Sequence, residues 1–336
     1  MQEILHNIFL ETITYSNRHM SPRNLWIVKQ EGRSLMVDTS FQFARDWSVI
    51  QNMVKQLGIA YKDLDVFITH DHPDHSGLAP ELEELGARIL MNPEETRRRA
   101  DLFHSYLVDE KARIDNLRTV GVTKEDTPEV YDTFMAYTNR AFEELTGKQD
   151  FSYTPVHPGE VLSYGEYEFE VVSLKGHTFG QCGLYEPKHR LLFCGDQIMT
   201  TIVPIVGSQH TDMKLLSSYM QSLGEMKHRY ADCMFLPCHY GPIDDVEKEA
   251  NRIILGYLDK CDIMRRVLEE SGQALTTRDV GVRAYGRSQG PPDYQHFASC
   301  TQIWAKTFSC MEYMYEQGFV ERFERDGIIY WKTPCN

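Results

Sequence analysis

The sequence predicts an α/β protein with a layered core, and three observations support this class. Apolar runs of strand length alternate with segments whose apolar residues recur at helical spacing, which is the order expected of layered α/β folds. Polar residues with metal-binding chemistry directly follow several of the predicted strands. The chain has 336 residues, 42% of them hydrophobic, which is enough for one large domain and a smaller one.

The first predicted elements form a hairpin and a β–loop–α–β unit. Strands at 24–28 and 34–37 flank Glu31-Gly32-Arg33, a typical hairpin connection. Apolar residues at helical spacing over 43–57, followed by Gly58, predict a helix that ends at a glycine. A strand at 65–69, a helix at 77–85 and a strand at 87–91 follow.

Residues 93–150 differ in character from the segments on either side. Charged helical patterns at 94–118 and 131–145 are separated by a polar break, and they predict a helical insertion in the core. Its aromatic residues either seal the insertion against the core or form one wall of a substrate pocket, in the manner of a lid. These residues are Phe103, Tyr106, Phe134 and Tyr137.

The remaining segments predict the end of the core and a C-terminal domain. The expected core elements are strands at 161–162, 167–174, 182–185, 190–194 and 232–236 and a helix at 212–228. A long helix at 245–270, a short helix opening at 276–280, a helix at 297–317 and a ribbon turning at Asp326-Gly327 follow the order of a winged-helix module. We therefore expect one domain over 1–245 and a winged-helix-like domain over 246–336.

The loop after the strand at 65–69 is dense in metal ligands. His70, His72, Asp74 and His75 stand within six positions, and imidazole and carboxylate suit zinc and similar divalent ions. Side chains alternate along an extended segment, so His70 and His72 can bind one ion, while Asp74 and His75 lie past Pro73 and can bind a second. The alternative is a polar loop with chance histidines, which the low total of 13 histidines disfavours.

Three later polar residues each follow the carboxyl end of a different apolar strand. They are His177, Asp196 and His239. Ligand sites of α/β sheets gather at strand ends of this kind. Glycines at 176, 195 and 241 permit close backbone approach. Taken singly, a histidine at a strand end is more often a hydrogen-bonded structural residue. Together with the first loop, the order of these ligand types is specific.

This order of motifs resembles the metallo-β-lactamase superfamily, an αββα sandwich that carries one or two metals. The resemblance lies in residues 69–77, 175–183, 194–197 and 237–242. More loosely, the C-terminal part is similar to the β-lactamase-like protein 2 subgroup, in which a winged-helix-like region follows the core. The chain departs from the common pattern at Phe179 and Gln181, where the family usually has Pro and His. Retention of Asp196 argues against antibiotic hydrolysis.

The resemblance implies two divalent metal ions, with zinc expected and iron or manganese as alternatives. The implied ligands are His70, His72 and His177 for the first ion, Asp74, His75 and His239 for the second, and Asp196 between them. It also implies a metal-dependent hydrolase that uses a metal-bridged hydroxide. We expect Asp74 to be the catalytic residue, because it would bind a metal ion, orient the nucleophile and carry its proton. Lys175 and Thr178 are candidates for the outer shell, although Lys175 fits a solvent-facing residue equally well.

The expected substrate is a small acyl compound, such as an ester, a thioester or a lactone. The apolar loop 197–207, with Met199 and Ile202, either packs under the insertion or forms a wall for an acyl or aromatic group. Tyr240 is a candidate donor to a developing oxyanion. A formal net charge of −14 disfavours binding to the phosphate backbone of a nucleic acid and to anionic membranes.

Other features bear on location and on rival functions. The N-terminus has no signal-peptide pattern, and we expect eight reduced cysteines in a cytoplasmic protein without a membrane span. One rival function is a nuclease or phosphodiesterase, although residues 297–317 contain a single basic residue, Lys306, and Arg322, Arg325 and Lys332 make only a thin basic patch. Others are a mono-iron persulfide dioxygenase and a binding module with a structural metal. A homodimer is also expected from the subgroup.

Overall fold

The computed structural model describes residues 1–16, 20–95, 110–145, 150–208, 210–286 and 294–334, without the side chains of 112, 137–145 and 294–301. Contacts between residues divide the chain into two compact units. Unit 1 comprises Met1–Arg98, Thr146–Pro204 and Ser222–Ala250. Unit 2 comprises Arg99–Leu145, Ile205–Gln221 and Asn251–Asn336.

Unit 1 contains two β-sheets. In the larger sheet the strands lie in chain order: β1 (Gln2–Leu5), β2 (Ile8–Ile13), β3 (Arg23–Val28), β4 (Ser34–Val37), β5 (Leu64–Ile68), β6 (Arg88–Met91) and β7 (Thr154–Pro155). The second sheet has the order β12-β11-β10-β9-β8, from β8 (Val161–Tyr164), β9 (Tyr167–Ser173), β10 (Cys182–Glu186), β11 (Leu191–Gly195) and β12 (Met234–Pro237). The pairs β4–β5, β5–β6, β6–β7 and β11–β12 are parallel.

The helices of the described residues range from single turns to seven turns. They are α1 (Ala44–Gln56), α2 (Pro73–Ser76), α3 (Ala79–Glu84), α4 (Glu110–Thr119), α5 (Pro128–Leu145), α6 (Leu215–Arg229), α7 (Val246–Ser271), α8 (Thr277–Ala284) and α9 (Tyr294–Glu316). None of these helices combines the length and the apolar character needed to cross a bilayer.

The core of unit 1 follows from strands that are buried on both faces. In β3, Trp26 and Val28 join a cluster that also takes Phe169 and Phe193 from the second sheet, so this cluster fills the space between the sheets. The alternate residues Leu25 and Ile27 belong instead to a cluster with residues of α1 and α3. Because side chains alternate along a strand, one strand serves both layers. The rings of Trp26 and Phe193 meet edge to face, 5.7 Å between centroids.

Unit 2 contains a three-stranded sheet, whose order β13-β15-β14 is formed by β13 (Leu275–Thr276), β14 (Glu321–Arg325) and β15 (Ile328–Lys332). Asp326 and Gly327 both have positive φ, 53° and 76°, which suits a two-residue hairpin turn between β14 and β15. Trp331 is fully buried, and its Nε1 donates to Oγ1 of Thr277 at 2.9 Å. This bond ties the sheet to the start of α8.

The structure confirms most of the predicted elements in the described residues, with small shifts at their ends. Gly58 stops α1 with φ 67°, and the hairpin of β3 and β4 forms as expected. One difference is that residues 73–76 form a short helix rather than a bend. The parts of the insertion at 96–109 and 146–149, with Phe103 and Tyr106, lie outside the described residues, as does the side chain of Tyr137.

The described helices of the insertion, α4 and α5, belong to the same unit as the C-terminal segment. The backbone N–H of Arg278 donates to the carbonyl of Val120 at 2.9 Å. Phe134 of α5 is fully buried. A Cβ at Gly121 would lie 2.5 Å from the Thr276 side chain, so the two segments approach closely. The insertion is therefore part of unit 2, while the domain boundary at residue 245 stays a prediction.

Candidate metal centre

The predicted ligands come together at one edge of the two sheets of unit 1. His70 follows β5, His177 follows β9, Asp196 follows β11 and His239 follows β12. Strands β11 and β12 are parallel neighbours, so their carboxyl ends deliver Asp196 and His239 side by side. Backbone bonds join the ends of different strands, since the N–H of Cys182 donates to the Thr69 carbonyl at 3.0 Å.

We call His70, His72 and His177 the first group. The Nε2 of His70 lies 2.9 Å from the Nδ1 of His72, and the Nε2 of His177 lies 3.1 Å from the same Nδ1. Burial and the neighbouring His177 lower the pKa of His72 to about 3, and burial likewise lowers the pKa of His70. These imidazoles are therefore neutral, which is the form that binds a metal.

We call Asp74, His75 and His239 the second group. The Oδ2 of Asp74 lies 3.7 Å from the Nε2 of both histidines. Asp196 faces both groups: its Oδ1 lies 3.4 Å from Nε2 of His75 and 3.2 Å from Nε2 of His239, and its Oδ2 lies 3.7 Å from Nε2 of His177. Asp196 thus lies between the two groups, where the family resemblance implies a shared ligand.

The geometry of the first group fits a divalent ion. Four ligands about 2.0–2.1 Å from a tetrahedral zinc lie roughly 3.3 Å from one another. The separations of 2.9 and 3.1 Å between ring nitrogens are close to that value. In the described residues, the buried Nε2 of His75 and Oδ1 of Asp196 make no hydrogen bond of acceptable geometry, although they lie 3.4 Å apart. Buried polar atoms of this kind need a partner, and a divalent cation held by these residues would supply it.

The charges of the second group also favour a cation. Burial alone would lower the pKa of His75, but the carboxylates of Asp196, Asp74 and Asp38 raise it well above its ordinary value. Burial would raise the pKa of Asp196, yet His239 and His75 hold it well below its usual range. The cluster therefore concentrates negative charge that a positive group must balance, and a bound metal ion would replace the proton on His75.

Asp38 orients His75 from the side away from the other ligands. Its Oδ2 lies 2.8 Å from Nδ1 of His75 and accepts from the hydroxyl of Thr69 at 2.7 Å. Its Oδ1 accepts from the backbone N–H of Thr69, also at 2.7 Å. The Cys238 thiol lies 2.8 Å from the same Oδ2. Asp38 fixes the ring so that Nε2 faces the cluster. Asp38 belongs to no predicted motif, although an aspartate that directly follows β4 matches the context of the other ligands.

Glu95 joins the two loops that carry the first group. Its Oε1 accepts from the Thr178 hydroxyl and the Gly180 N–H, both at 2.6 Å, and its Oε2 accepts from the Asp71 N–H at 3.0 Å. Burial raises the pKa of Glu95 to about 7, although these donors act to lower it. Thr178 thus contacts a buried carboxylate next to the first group, and its supporting role stays a prediction, while Lys175 is exposed. No local pattern in the sequence marked Glu95.

Arg23 is a second residue that the sequence argument missed. Its guanidinium forms an ion pair with the Oδ2 of Asp74 and is only 6% exposed. The Nδ1 of His239 lies 2.5 Å from Nη1 of Arg23 and 2.8 Å from the Pro22 carbonyl. The Pro22 carbonyl can accept only from a protonated Nδ1, whereas the guanidinium can donate only to an unprotonated one. The tautomer that donates to the Pro22 carbonyl is the one that turns the Nε2 lone pair of His239 toward the cluster, as metal binding requires.

The predicted substrate residues lie in different surroundings. Tyr240 is half-buried with φ 63°, and its hydroxyl lies 3.1 Å from Oγ of Ser21. Met199 is buried, whereas Ile202 is 38% exposed. Their roles stay predictions. After β12 the residue with positive φ is Tyr240 and not the neighbouring Gly241. At the end of β11, Gly195 has φ 52°.

Gln181, one of the departures from the family pattern, is hydrogen-bonded to the backbone that carries Asp196. It is fully buried, and its Oε1 accepts from the backbone N–H of Asp196 at 3.2 Å. Its Nε2 donates to Oε1 of Gln197 at 2.8 Å. The side chain therefore fixes the turn that presents Asp196.

The fold and this cluster define a protein of the metallo-β-lactamase class. The model of the metallo-beta-lactamase superfamily matches residues 20–239, which include every predicted ligand. The chain belongs to this superfamily. An uncharacterized protein of Aquifex aeolicus (strain VF5) is 26% identical over 137 residues, which are 40% of this chain and 49% of that protein. The match thus spans about half the length of this curated relative.

Solved structures show the same fold over almost the whole chain. A beta-lactamase domain protein from Burkholderia ambifaria has a TM-score of 0.80 at 19% identity, covering 99% of this chain and 94% of its own. A metallo-beta-lactamase family protein from Thermus thermophilus has a TM-score of 0.76 at 20% identity, covering 99% of this chain and 100% of its own. The shared fold therefore includes the C-terminal segment as well as the sandwich.

Proposed function

We propose that this protein is a metal-dependent hydrolase with two divalent ions, zinc in the first place, and that it cleaves a carboxylic ester, a thioester or a lactone. The proposal is carried by the convergence of the first and second groups on Asp196. When bound there, divalent cations acidify a water molecule and polarise the carbonyl oxygen of a substrate. The ligand set has both imidazole and carboxylate, which suits zinc and also admits iron or manganese.

The residues of the chain have distinct tasks in this proposal. His75 and Arg23 lower the pKa of Asp74 against the effect of burial, so Asp74 is ionised and only accepts hydrogen bonds. In this proposal it orients the attacking water and takes up its proton. Asp38 holds the ring of His75, and Tyr240 is the proposed donor to the oxyanion. The exposed part of Asp74, 16% of its side chain, gives the water access.

An apolar acyl group is supported by aromatic residues beside the second group. Phe41 lies under the guanidinium of Arg23, 5.0 Å from ring centroid to Cζ. Phe43 stacks on Phe41 at 5.2 Å and is 41% exposed, and Tyr15 meets Phe41 edge to face at 6.5 Å. Such a cluster offers apolar contact to a substrate. Met199 and Ile202 remain the proposed contacts from the loop after β11.

The rival proposal is a nuclease or phosphodiesterase with a winged-helix-like C-terminal region. The order of α8, α9 and the β14–β15 ribbon favours such a region. Two of its basic residues, however, pair with carboxylates: Arg322 with Glu312 and Asp212, and Lys332 with Glu321. Lys306 and Arg325 lie over aromatic rings. Cations already paired with carboxylates add little to phosphate binding, so the acyl substrate is preferred.

The test is metal analysis of the purified protein followed by a substrate panel. The panel contains an acyl-CoA, a lactone, an aryl ester and bis(p-nitrophenyl) phosphate. We expect about two zinc ions per chain and turnover of an acyl compound. Turnover of the phosphodiester alone would favour the nuclease, and a single iron with no hydrolysis would favour a persulfide dioxygenase.

A matched pair of variants locates the activity. Asp196→Ala removes the carboxylate between the groups and should lose at least one ion and nearly all hydrolysis. Asp150→Ala removes an exposed carboxylate of the same unit and should change neither. Full retention of metal and activity in Asp196→Ala would defeat the assignment. A homodimer and a cytoplasmic location remain further proposals, tested by light scattering and fractionation.

A further inference from the structure

The second group differs from the first because a fixed positive charge adjoins it. The guanidinium of Arg23 forms an ion pair with the Oδ2 of Asp74, which is the same oxygen that faces His75 and His239. Both partners are largely buried, with side chains 7% and 16% exposed. Solvent therefore screens this pair less than a surface pair.

Several contacts hold Arg23 in this place. Its backbone belongs to β3, where it pairs with Ile13 of β2. Its Nη1 donates to the Ser21 carbonyl at 3.1 Å, and its guanidinium lies over the ring of Phe41. In the described residues, its buried Nε has no hydrogen-bond partner. The side chain is confined from several sides, so its charge is a permanent feature of the second group.

We propose that Arg23 makes the two metal positions unequal, so that one divalent ion binds tightly at the first group and the second ion binds weakly at the second group. Asp74 is the carboxylate that belongs to the second group alone, and Arg23 already neutralises part of its charge. A cation that enters there also meets the repulsion of the guanidinium. At an effective dielectric constant of about 20, a unit charge a few ångströms away changes binding of a divalent ion by more than tenfold.

The inference rests on the proposed metal-dependent hydrolase, but its test measures metal binding and not hydrolysis. Zn²⁺ is titrated into the metal-free full chain by calorimetry, with a competing chelator for the tight step. The wild-type protein should show two steps whose dissociation constants differ at least tenfold. Two equal steps would overturn the inference and leave the proposed function standing. The absence of any zinc binding would defeat the proposed function itself.

Variants then test whether the charge of Arg23 causes the difference between the two dissociation constants. Arg23→Gln should tighten the second step at least tenfold and change the first less than threefold. Arg23→Lys is the matched control, because it keeps the charge and should keep the inequality. Arg23→Met also removes the charge and keeps an unbranched stem over the ring of Phe41, and it should tighten the second step in the same direction as Arg23→Gln. This variant decides the question if Arg23→Gln does not fold by circular dichroism.

The outcome that contradicts the proposal is specific. If the second step is unchanged in Arg23→Gln, or in Arg23→Met when that variant has to stand in, the charge of Arg23 does not set the inequality. A purely structural role for Arg23 would weaken both steps together and would not tighten either of them.

Discussion

Substitution of Glu95 by glutamine tests whether one buried carboxylate holds the two metal-bearing loops together. The carboxylate accepts three hydrogen bonds, two at Oε1 and one at Oε2. In its better orientation the amide of Glu95→Gln keeps the two bonds at the oxygen and turns its NH₂ group toward the N–H of Asp71. One hydrogen bond to a charged group is lost, which costs about 1.5–3 kcal/mol.

The assay is urea denaturation of the metal-depleted protein at pH 8, together with Zn²⁺ affinity by chelator competition. We expect zinc binding at the first group to weaken on the order of tenfold, since the loops carry its ligands. The lost bond costs about 1.5–3 kcal/mol of the free energy of unfolding, and the neutral amide offsets part of this loss at pH 8 because it removes a buried charge. The neighbouring change Glu94→Gln alters charge equally without these three bonds, and it should affect both quantities less. Unchanged stability and unchanged zinc affinity in Glu95→Gln would refute the reasoning.

The same variant carries a pH signature. Burial raises the pKa of Glu95 from 4.5 to about 7, so between these values the folded state holds a proton that the unfolded state has released. The stability of the wild type should therefore fall, relative to Glu95→Gln, as the pH rises from about 4.5 to about 7. The difference between the two proteins cancels the titration of the other groups. A difference that is flat across this window would contradict a raised pKa.

Three further predictions concern the surroundings of the centre. Asp38→Asn removes the charge beside His75 and replaces one of the two oxygens that accept there by an NH₂ group, and chelator competition should show a roughly 10–100-fold loss of affinity for one zinc ion. Gly180→Ala places a Cβ 2.6 Å from the backbone N of Glu95, and urea denaturation should show a loss of about 1–3 kcal/mol; equal stability would mean that the loop yields freely. Tyr164→Phe removes the hydroxyl that donates to Oδ2 of Asp65 at 2.7 Å and should cost about 1–2 kcal/mol, while metal content stays unchanged.

The sequence predicted the parts of the centre whose signal is local. His70, His72, Asp74 and His75 share one loop, and the later ligands each follow a recognisable strand, so ligand type and strand position were enough to bring them together. The layered α/β class was predicted for a related reason, because apolar strands and amphipathic helices leave short-range patterns, whereas the sandwich itself followed from the family resemblance.

What the sequence did not reveal depends on contacts between distant residues. Glu95 is 83 positions from Thr178, and Arg23 is 216 positions from His239. Neither belongs to a motif, and a buried carboxylate or guanidinium looks like any surface charge until the chain is folded. The membership of α4 and α5 in unit 2 was missed for the same reason, since Val120 and Arg278 meet across a long stretch of chain.

The interleaved make-up of the two units has a consequence for biosynthesis. Residues 99–145 of unit 2 leave the ribosome long before residues 251–336, which contain their packing partners. Until then the apolar side chains of Val120, Val122 and Phe134, all fully buried in the finished unit, have no complete cover. During translation this exposed apolar surface is therefore prone to aggregation. A ribosome stalled near residue 250 would leave it accessible to chaperones and proteases.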